Sequence, residues 1–219
     1  DTSRGYGISD QMSIFFSQWS KVANNPQDIP TRSSLVSQAR SFADSLNGAY
    51  LSLMEQQDIA DDSITQVVDE INNIAHEVAS LNEKIAYAVG SGTPAHDLMD
   101  SRDLKLQELS KLAGVNIYTN QSNQSVTVDL AGYPLVSFAT VNELEAVAQP
   151  VPPQYHQVFM QQYGGPSVDI TAQINGGQLK SLITLRDEYI PSYRTQLDDL
   201  ATGLVAAINA QHQQGYALD

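Results

Sequence analysis

The sequence has no cysteine, and this absence excludes several kinds of chemistry. A chain of 219 residues without thiols has no disulfide, no thiolate ligand for a metal ion and no thiol nucleophile. Such a composition suits a protein that crosses between redox compartments.

Basic residues are also scarce. The chain has 11 Lys and Arg against 25 Asp and Glu, a formal net charge of -14, and its basic residues are scattered singly. Phosphate backbones and anionic membrane surfaces attract clustered positive charge. We therefore expect neither nucleic acid nor a membrane as a partner.

Long apolar runs are missing as well. No stretch approaches the ~18 consecutive apolar residues that cross a bilayer as a helix. The chain starts at Asp1, with no initiator Met and no basic-then-apolar signal-peptide pattern. We interpret it as a fragment excised from a longer protein.

Against these absences stands a long heptad pattern that begins at Ile64. Apolar residues recur there at alternating steps of 3 and 4, which is typical of helices that pack lengthwise. The members are Ile64, Val67, Ile71, Ile74, Val78, Leu81, Ile85 and Ala88. Val68 and Ala75 widen this stripe, and the wider stripe favours a multi-helix bundle over a two-stranded coiled coil.

A similar pattern precedes it, with Ala39, Leu46, Leu53 and Ala60 at equivalent positions. The heptad pattern that ends at Ala60 and the one that begins at Ile64 are offset by an insertion of four residues, which a helix can absorb by local unwinding. We predict one helix over residues 30–89, bent near Gln57 and spanning ~90 Å at about 1.5 Å per residue. Two helices meeting near Gln57 are the alternative.

Three further helices follow from apolar periodicity and end signals. The first has its apolar repeat from Ile8 to Val22, with Ser9 as its N-cap, and it stops at Asn24-Asn25-Pro26. The third starts at the pair Thr93 and Pro94 and ends at a C-capping Gly114; Leu98, Leu106, Leu109 and Leu112 form its apolar face. The last follows Gly176-Gly177 and ends near Gly215, and Pro191 kinks it or marks its effective start.

Residues 115–175 change to an alternating pattern that predicts β-strands. Segments 115–119 and 125–130 form a hairpin, and 135–138, 143–147, 157–160 and 168–174 are further strand candidates. The fold class is therefore mainly α, a coiled-coil-like bundle of long helices with a small antiparallel β subdomain. We divide the chain into a discontinuous helical domain, 8–114 with 176–215, and a β-rich insertion, 115–175.

No group of residues predicts catalysis, cofactor binding or metal binding. None of the four His has another His at i+3 or i+4, and His76 occupies a solvent-facing heptad position. Asp97, Asp100 and Asp103 fit helix-dipole and ion-pair roles. We expect no enzyme, no catalytic residue and no cofactor, and a structural role for Asn209 and His212 at the end of the last helix.

The remaining motifs are turns. Gly90-Ser91-Gly92 lacks the phosphate-binding pattern that a P-loop requires. Asn120-Gln121-Ser122 and Asn123-Gln124-Ser125 match the N-glycosylation sequon but coincide with the predicted hairpin turn. We interpret both segments as turns.

Four ordered segments resemble the flagellar hook-associated protein 1 family, whose members form the hook–filament junction. The family patterns are N-D-L-L-D-Q-R-D with E-L-S and G-V, V-D-x-I-N-x-x-A with S-L-N-x-x-I, G-G-x-L with L-x-F-R-D, and N-x-Q-H-x-x-G. The corresponding segments here begin at His96, Asp69, Gly176 and Asn209. The resemblance covers the chain from about Ile8 onward, except residues 142–168.

This resemblance implies a secreted structural subunit of the bacterial flagellum. Family members leave the cell unfolded through the flagellar type III apparatus and assemble as a ring at the distal end of the hook. Their partners are adjacent copies, hook protein below and the next hook-associated junction protein above. An export chaperone binds the C-terminal segment of family members, which is absent here together with the N-terminal heptad segment.

A different class of function stays open from the residues alone. A helical adhesin or toxin module, acting by itself, could use the 115–175 insertion to contact a partner. The full-length protein discriminates between the two hypotheses, because the junction hypothesis requires heptad-bearing extensions at both ends.

Overall fold

One helix occupies most of the first half of the chain. In the computed structural model, which describes residues 7–150 and 154–214, α2 spans Ile29–Gly90. Asp28 caps its start, because Asp28 Oδ2 accepts a hydrogen bond from the main-chain N–H of Thr31 at 3.2 Å. One helix over residues 30–89 is thus confirmed, and the alternative of two helices meeting near Gln57 is wrong. The helix absorbs the four-residue shift of register.

The other helices are shorter. They are α1 (Ile8–Asn24), α3 (His96–Leu112), α4 (Gly177–Thr184) and α5 (Ile190–Gln213). A π turn over Leu185–Tyr189 joins α4 to α5. Pro191 is the second residue of α5. Of the two alternatives predicted for this proline, a kink or the effective start of the long final helix, the effective start is confirmed. The predicted end at Gly215 lies outside the described residues.

Two predicted helix starts are wrong. Gly7, and not Ser9, precedes α1, since its carbonyl accepts bonds from the N–H groups of Asp10 and Gln11, each at 3.0 Å. At the start of α3, the N–H of Thr93 donates to the carbonyl of Ala88 at 2.9 Å. This bond closes the end of α2. The next helix begins at His96 and is preceded by Ala95, not Thr93, since the carbonyl of Ala95 accepts from the N–H of Met99 at 3.0 Å.

Gly114 is not the C-cap of α3, because Ala113 takes that position. The N–H of Gly114 donates to the carbonyl of Gly176 at 3.1 Å. A Cβ at position 114 would lie 2.6 Å from Asn175 Oδ1 and 3.0 Å from the main-chain nitrogen of Gly176. Glycine is therefore required by the close approach of two backbones, and not by a helix end.

The β-rich part contains two antiparallel sheets. The first has the order β1-β2-β3-β4 and the second the order β5-β6-β7. Their bounds are β1 (Val115–Thr119), β2 (Val126–Leu130), β3 (Tyr133–Ser137), β4 (Thr140–Val141), β5 (Glu143–Ala148), β6 (His156–Gln161) and β7 (Ser167–Asp169). The predicted mainly α fold with a small antiparallel β part is confirmed.

The strands agree closely with the sequence prediction in the hairpin, where Ile117 pairs with Val128. The predicted strand over 168–174 is too long, because residues Thr171–Gln173 form a 3-10 turn after β7. The side chain of Asp169 holds the start of this turn, since Asp169 Oδ1 accepts from the main-chain N–H of Thr171 at 2.9 Å. The two-residue strand β4 was not predicted, because two residues carry no periodic signal.

The structure divides into two compact units, residues 1–56 with 190–219 and residues 57–189. This division differs from the predicted one, which separates the β-rich residues 115–175 from all the helices. It differs because one hydrophobic core joins α2, α3 and α4 to both sheets within the second unit. Whether 8–114 with 176–215 and 115–175 are separate domains stays a prediction.

The core of the second unit contains the predicted heptad residues. Ile64, Ile71, Val78 and Ile85 of α2 are fully buried. Leu109 of α3 and Leu179 of α4 belong to the same unit and are equally buried. The first unit, by contrast, places only Phe15, Phe42 and Ile190 among the buried apolar side chains of its described residues.

Candidate functional site

The first unit carries an apolar groove of about 530 Å³ between its helices. Phe15 of α1 stacks on Phe42 of α2, with ring centroids 6.0 Å apart, and both rings are buried. The remaining apolar lining residues are Ala39, Ala43, Leu46, Tyr50, Leu197, Ala201, Leu204, Val205 and Ile208. Three helices of this unit thus leave part of their apolar surface uncovered.

Large apolar side chains also lie on the outside of the first unit. Ile29, Val36, Leu51 and Val205 are each more than half exposed. The first unit therefore leaves more of its apolar surface in contact with solvent than do the heptad residues between Ile64 and Ala88, most of which are buried.

The groove is bordered by one specific polar contact. Arg194 of α5 places its guanidinium carbon 4.7 Å from the ring centroid of Tyr50 on α2, and its Nη2 donates to the Tyr50 hydroxyl at 2.5 Å. A cation over an aromatic face is attracted by the ring quadrupole. This pair joins α2 to α5 where few buried apolar residues do so.

In the second unit, polar side chains of α2 bind the main chain of the sheets directly. Asn72 accepts a hydrogen bond from the N–H of Leu144 and donates to its carbonyl, each at 2.8 Å. Asn82 bonds the N–H and the carbonyl of Val126 at 2.9 and 2.8 Å, and also donates to the carbonyl of Phe138 at 2.9 Å. A carboxamide has both a donor and an acceptor, so one side chain can bond the main-chain N–H and the carbonyl of a single strand residue, as a neighbouring strand would.

A charged cluster makes the third contact of this kind. Asp61 Oδ1 accepts from the N–H of His156 at 2.9 Å and from Arg186 Nη1 at 2.6 Å. Asp61 Oδ2 lies 2.7 Å from His156 Nδ1, which must carry the proton because an ionised carboxylate only accepts. The Arg186 side chain is 3% exposed and also pairs with Asp187 at 2.7 Å.

The pKa shifts in this cluster follow from competing effects. Burial acts to raise the pKa of Asp61, but hydrogen bonds from His156 and Arg186 outweigh it and hold the pKa below its ordinary value of 3.8. Burial likewise acts to lower the pKa of Arg186, and its bonds to Asp187 and Asp61 raise it overall. Both groups are therefore charged at neutral pH, as a buried ion pair requires.

The residues considered for chemistry lie apart from one another. His76 is exposed as predicted, but it also contacts Glu143 Oε1 at 2.9 Å. Asp97 and Asp100 are exposed on α3, and Asp103 lies 3.5 Å from the buried Arg102. No group of three or more His, Asp or Glu within residues 7–150 and 154–214 is arranged to hold a metal ion.

The remaining sequence predictions concern ends and turns. Asn120 and Asn123 each accept a bond from the main-chain N–H two residues on, at 2.9 and 3.1 Å, so both sequons form turns as predicted. Asn209 and His212 are exposed near the end of α5. Their structural role stays a prediction.

Sequence reasoning missed the polar contacts of α2, although a signal was present. Asp61 and Asn82 fall in the same heptad column as Val68 and Ala75, the two residues that widen the apolar stripe. A polar residue at such an otherwise apolar heptad position either faces solvent or is buried with a hydrogen-bond partner.

No helix of the described residues is long and apolar enough to cross a membrane.

Comparison with known proteins decides the family. The family described as the flagellar hook-associated protein FlgK helical domain matches residues 2–219. The chain belongs to this FlgK helical-domain family. The resemblance found in the sequence is thereby confirmed.

Individual relatives agree with this assignment. Flagellar hook-associated protein 1 of Salmonella typhimurium strain LT2 is 29% identical over 215 residues, covering 97% of this chain and 39% of that protein. The Escherichia coli K12 protein of the same name is 28% identical over 213 residues, with 95% and 39% covered. The chain thus spans about two fifths of the length of these FlgK relatives.

A solved structure shows the same fold. The flagellar hook junction protein FlgK from Burkholderia pseudomallei matches with a TM-score of 0.78 and 30% identity, over 94% of this chain and 38% of that one. The FlgK helical domain therefore includes the β-rich residues as well as the helices, since the match extends over nearly the whole chain.

Proposed function

We propose that this chain is part of a structural subunit of the bacterial flagellum that joins hook to filament. The observation that carries the proposal is the match of the FlgK helical-domain family to residues 2–219. The names of the relatives, hook-associated protein and hook junction protein, place those proteins in the flagellum. A role without catalysis fits a fold whose polar clusters bind its own main chain.

The groove of the first unit supports assembly through helices. Its lining residues come from α1, α2 and α5 and are mostly apolar. A bundle with so few buried side chains gains stability when another helix covers the groove. In this proposal copies form a ring, and helices of neighbouring subunits pack along this surface.

Further partners follow from the place of such a subunit. The subunit leaves the cell by type III export. Outside the cell, hook protein lies below it and the next hook-associated junction protein lies above it. An export chaperone binds the C-terminal segment of the full-length subunit. The β-rich residues 115–175 act as a subdomain on the long helices of 8–114 and 176–215.

The test is a motility assay with the full-length protein in a strain that lacks its own copy. Val205→Glu places a charge in the groove at a position that is 57% exposed, so folding of the domain is preserved. Leu104→Glu is the matched control, because Leu104 is 60% exposed and lies on α3 in the second unit. Both variants are first checked by circular dichroism and urea unfolding.

The proposal expects Val205→Glu cells to have hooks without attached filaments and to release flagellin into the medium. Leu104→Glu cells should swim as the complemented strain does. Normal filaments with Val205→Glu would exclude the groove from assembly, and normal filaments in a strain without the protein would exclude the junction role itself. A stand-alone adhesin or toxin module predicts that second result.

A further inference from the structure

Three side chains of α2 perform the same task on different parts of the β-rich segment. Asn82, Asn72 and Asp61 each accept a hydrogen bond from a main-chain N–H, of Val126, Leu144 and His156 respectively, at 2.8–2.9 Å. Two of these acceptors are neutral carboxamides, and one is a carboxylate. Only the third contact can therefore change with the pH of the solution.

A carboxylate is needed at position 61 because of the number of donors that meet there. Asp61 receives the N–H of His156, the Nδ1–H of the same residue and Nη1 of Arg186. A neutral carboxamide has one acceptor oxygen, so it could neither accept all three bonds nor supply the negative charge that pairs with the guanidinium. The ring of His156 donates to Asp61 from Nδ1 at 2.7 Å.

We propose that Asp61, His156 and Arg186 form an acid-sensitive latch that holds the start of β6 and the π turn on α2. Protonation of Asp61 weakens the attachment of the start of β6 to α2, while Asn72 and Asn82 keep the rest of the sheets in place and Gln57 still bonds the π turn. The proton occupies a carboxylate oxygen that now faces a donor, and Arg186 loses one of its two countercharges at the same moment, with Asp187 remaining.

The groups around Asp61 do not replace that countercharge. On the π turn, Asp187 pairs with Arg186, but its side chain is 43% exposed, where solvent weakens the attraction. On the β-rich segment, the ring of Tyr155 lies 5.5 Å from the guanidinium carbon of Arg186 and adds no negative charge. On α2, Asp58 is exposed and lies 3.4 Å from the Tyr155 hydroxyl. Arg186 then has one charged partner, the partly exposed Asp187, which compensates a buried guanidinium less fully than two carboxylates do.

The direction of the effect follows from linkage. The folded chain holds the pKa of Asp61 below 3.8. A carboxyl group whose pKa is depressed by folding contributes stability above its unfolded pKa and loses it as the pH falls through the folded value. The latch is therefore closed at neutral pH and opens on the acid side of 3.8.

The molecule supplies its own internal controls for a test by amide hydrogen exchange. NMR follows the N–H groups of His156, Leu144 and Val126 in the folded chain from about pH 7 to about pH 3, with rates corrected for the intrinsic effect of pH. We expect protection of the His156 amide to fall by about tenfold per pH unit below the folded pKa, while the other two amides keep theirs. Simultaneous loss of all three would overturn the proposal.

Two variants complete the test. Asp61→Asn should lower protection of the His156 amide already at neutral pH and remove its dependence on acid. Asp62→Asn changes an exposed neighbour and should leave the wild-type profile intact. An unchanged acid step in Asp61→Asn contradicts the latch. If that variant does not fold, the comparison of three amides in the wild-type chain decides the question alone.

Discussion

Gln57 donates its side-chain amide to the main-chain oxygen of Arg186 at 2.7 Å, across 129 residues of sequence. The bond has a reason in the π turn. There a carbonyl accepts from the N–H five residues later, which for Arg186 is position 191, and Pro191 has no N–H. The side chain of one helix thus replaces a donor that another helix lacks.

Gln57→Ala should leave that carbonyl buried without its partner. The expected loss in the free energy of unfolding is about 1–3 kcal/mol, measured by urea denaturation. Gln56→Ala is the matched control, since Gln56 is exposed on the same helix and should change stability by less than about 0.5 kcal/mol. Equal effects at the two positions would contradict the assigned role of Gln57.

Pro191→Ala should make Gln57 less important. An alanine supplies the missing N–H to the helix, so the carbonyl of Arg186 gains a second possible donor. In a double-mutant cycle we expect Gln57→Ala to cost less in the Pro191→Ala background, with a coupling of about 0.5–2 kcal/mol. Simple additivity of the two substitutions would exclude this link between the side chain and the proline.

Asn82→Asp tests the donor role of a fully buried amide. The change keeps an acceptor for the N–H of Val126 but turns a negative charge toward the carbonyls of Val126 and Phe138. We expect a loss on the order of 3 kcal/mol or more in the free energy of unfolding at neutral pH. Asn73→Asp, at an exposed position nine residues earlier on the same helix, should be nearly neutral in the same urea titration.

Gly177→Ala should be among the most harmful single-methyl changes in the chain. Gly177 has a φ of +76°, and an added Cβ would lie 2.5 Å from the main-chain nitrogen of Ala113. Gly48→Ala provides the opposite case, because nothing lies within 4 Å of its Cβ position inside α2, and it should stabilise by about 1 kcal/mol. Thermal unfolding of the two variants should therefore move in opposite directions.

Asp61→Asn should change how the free energy of unfolding depends on pH in the acid range. Since folding depresses the pKa of Asp61, its contribution is complete above 3.8 and disappears as the pH falls through the folded value. The difference in unfolding free energy between wild type and Asp61→Asn should accordingly be largest near neutral pH and shrink below 3.8. A constant difference over that range would show that Asp61 does not titrate with folding.

Much of this fold follows from periodicity. The 3-4 spacing from Ile64 to Ala88 predicts the buried face of α2 because nothing but a packed helix needs apolar residues at that interval. The hairpin of β1 and β2 follows from alternation and a polar turn. These signals are local, so a single sequence displays them completely.

The polar contacts could not be derived in the same way. Arg186 lies at a heptad position of the final helix as the sequence predicts it, and a charged side chain at such a position is ordinarily exposed to solvent. Its burial depends on Asp61, 125 residues earlier in the sequence. Such pairings are properties of the tertiary structure, and the helix period carries no information about which distant carboxylate a guanidinium meets.

Asn72 has a consequence for how copies of this chain can associate. β5 is an edge strand, and an open edge is a template on which a strand from another molecule can add. Asn72 occupies both main-chain groups of Leu144 that such a strand would use. This amide therefore blocks one point at which a strand from another molecule could add to the sheet.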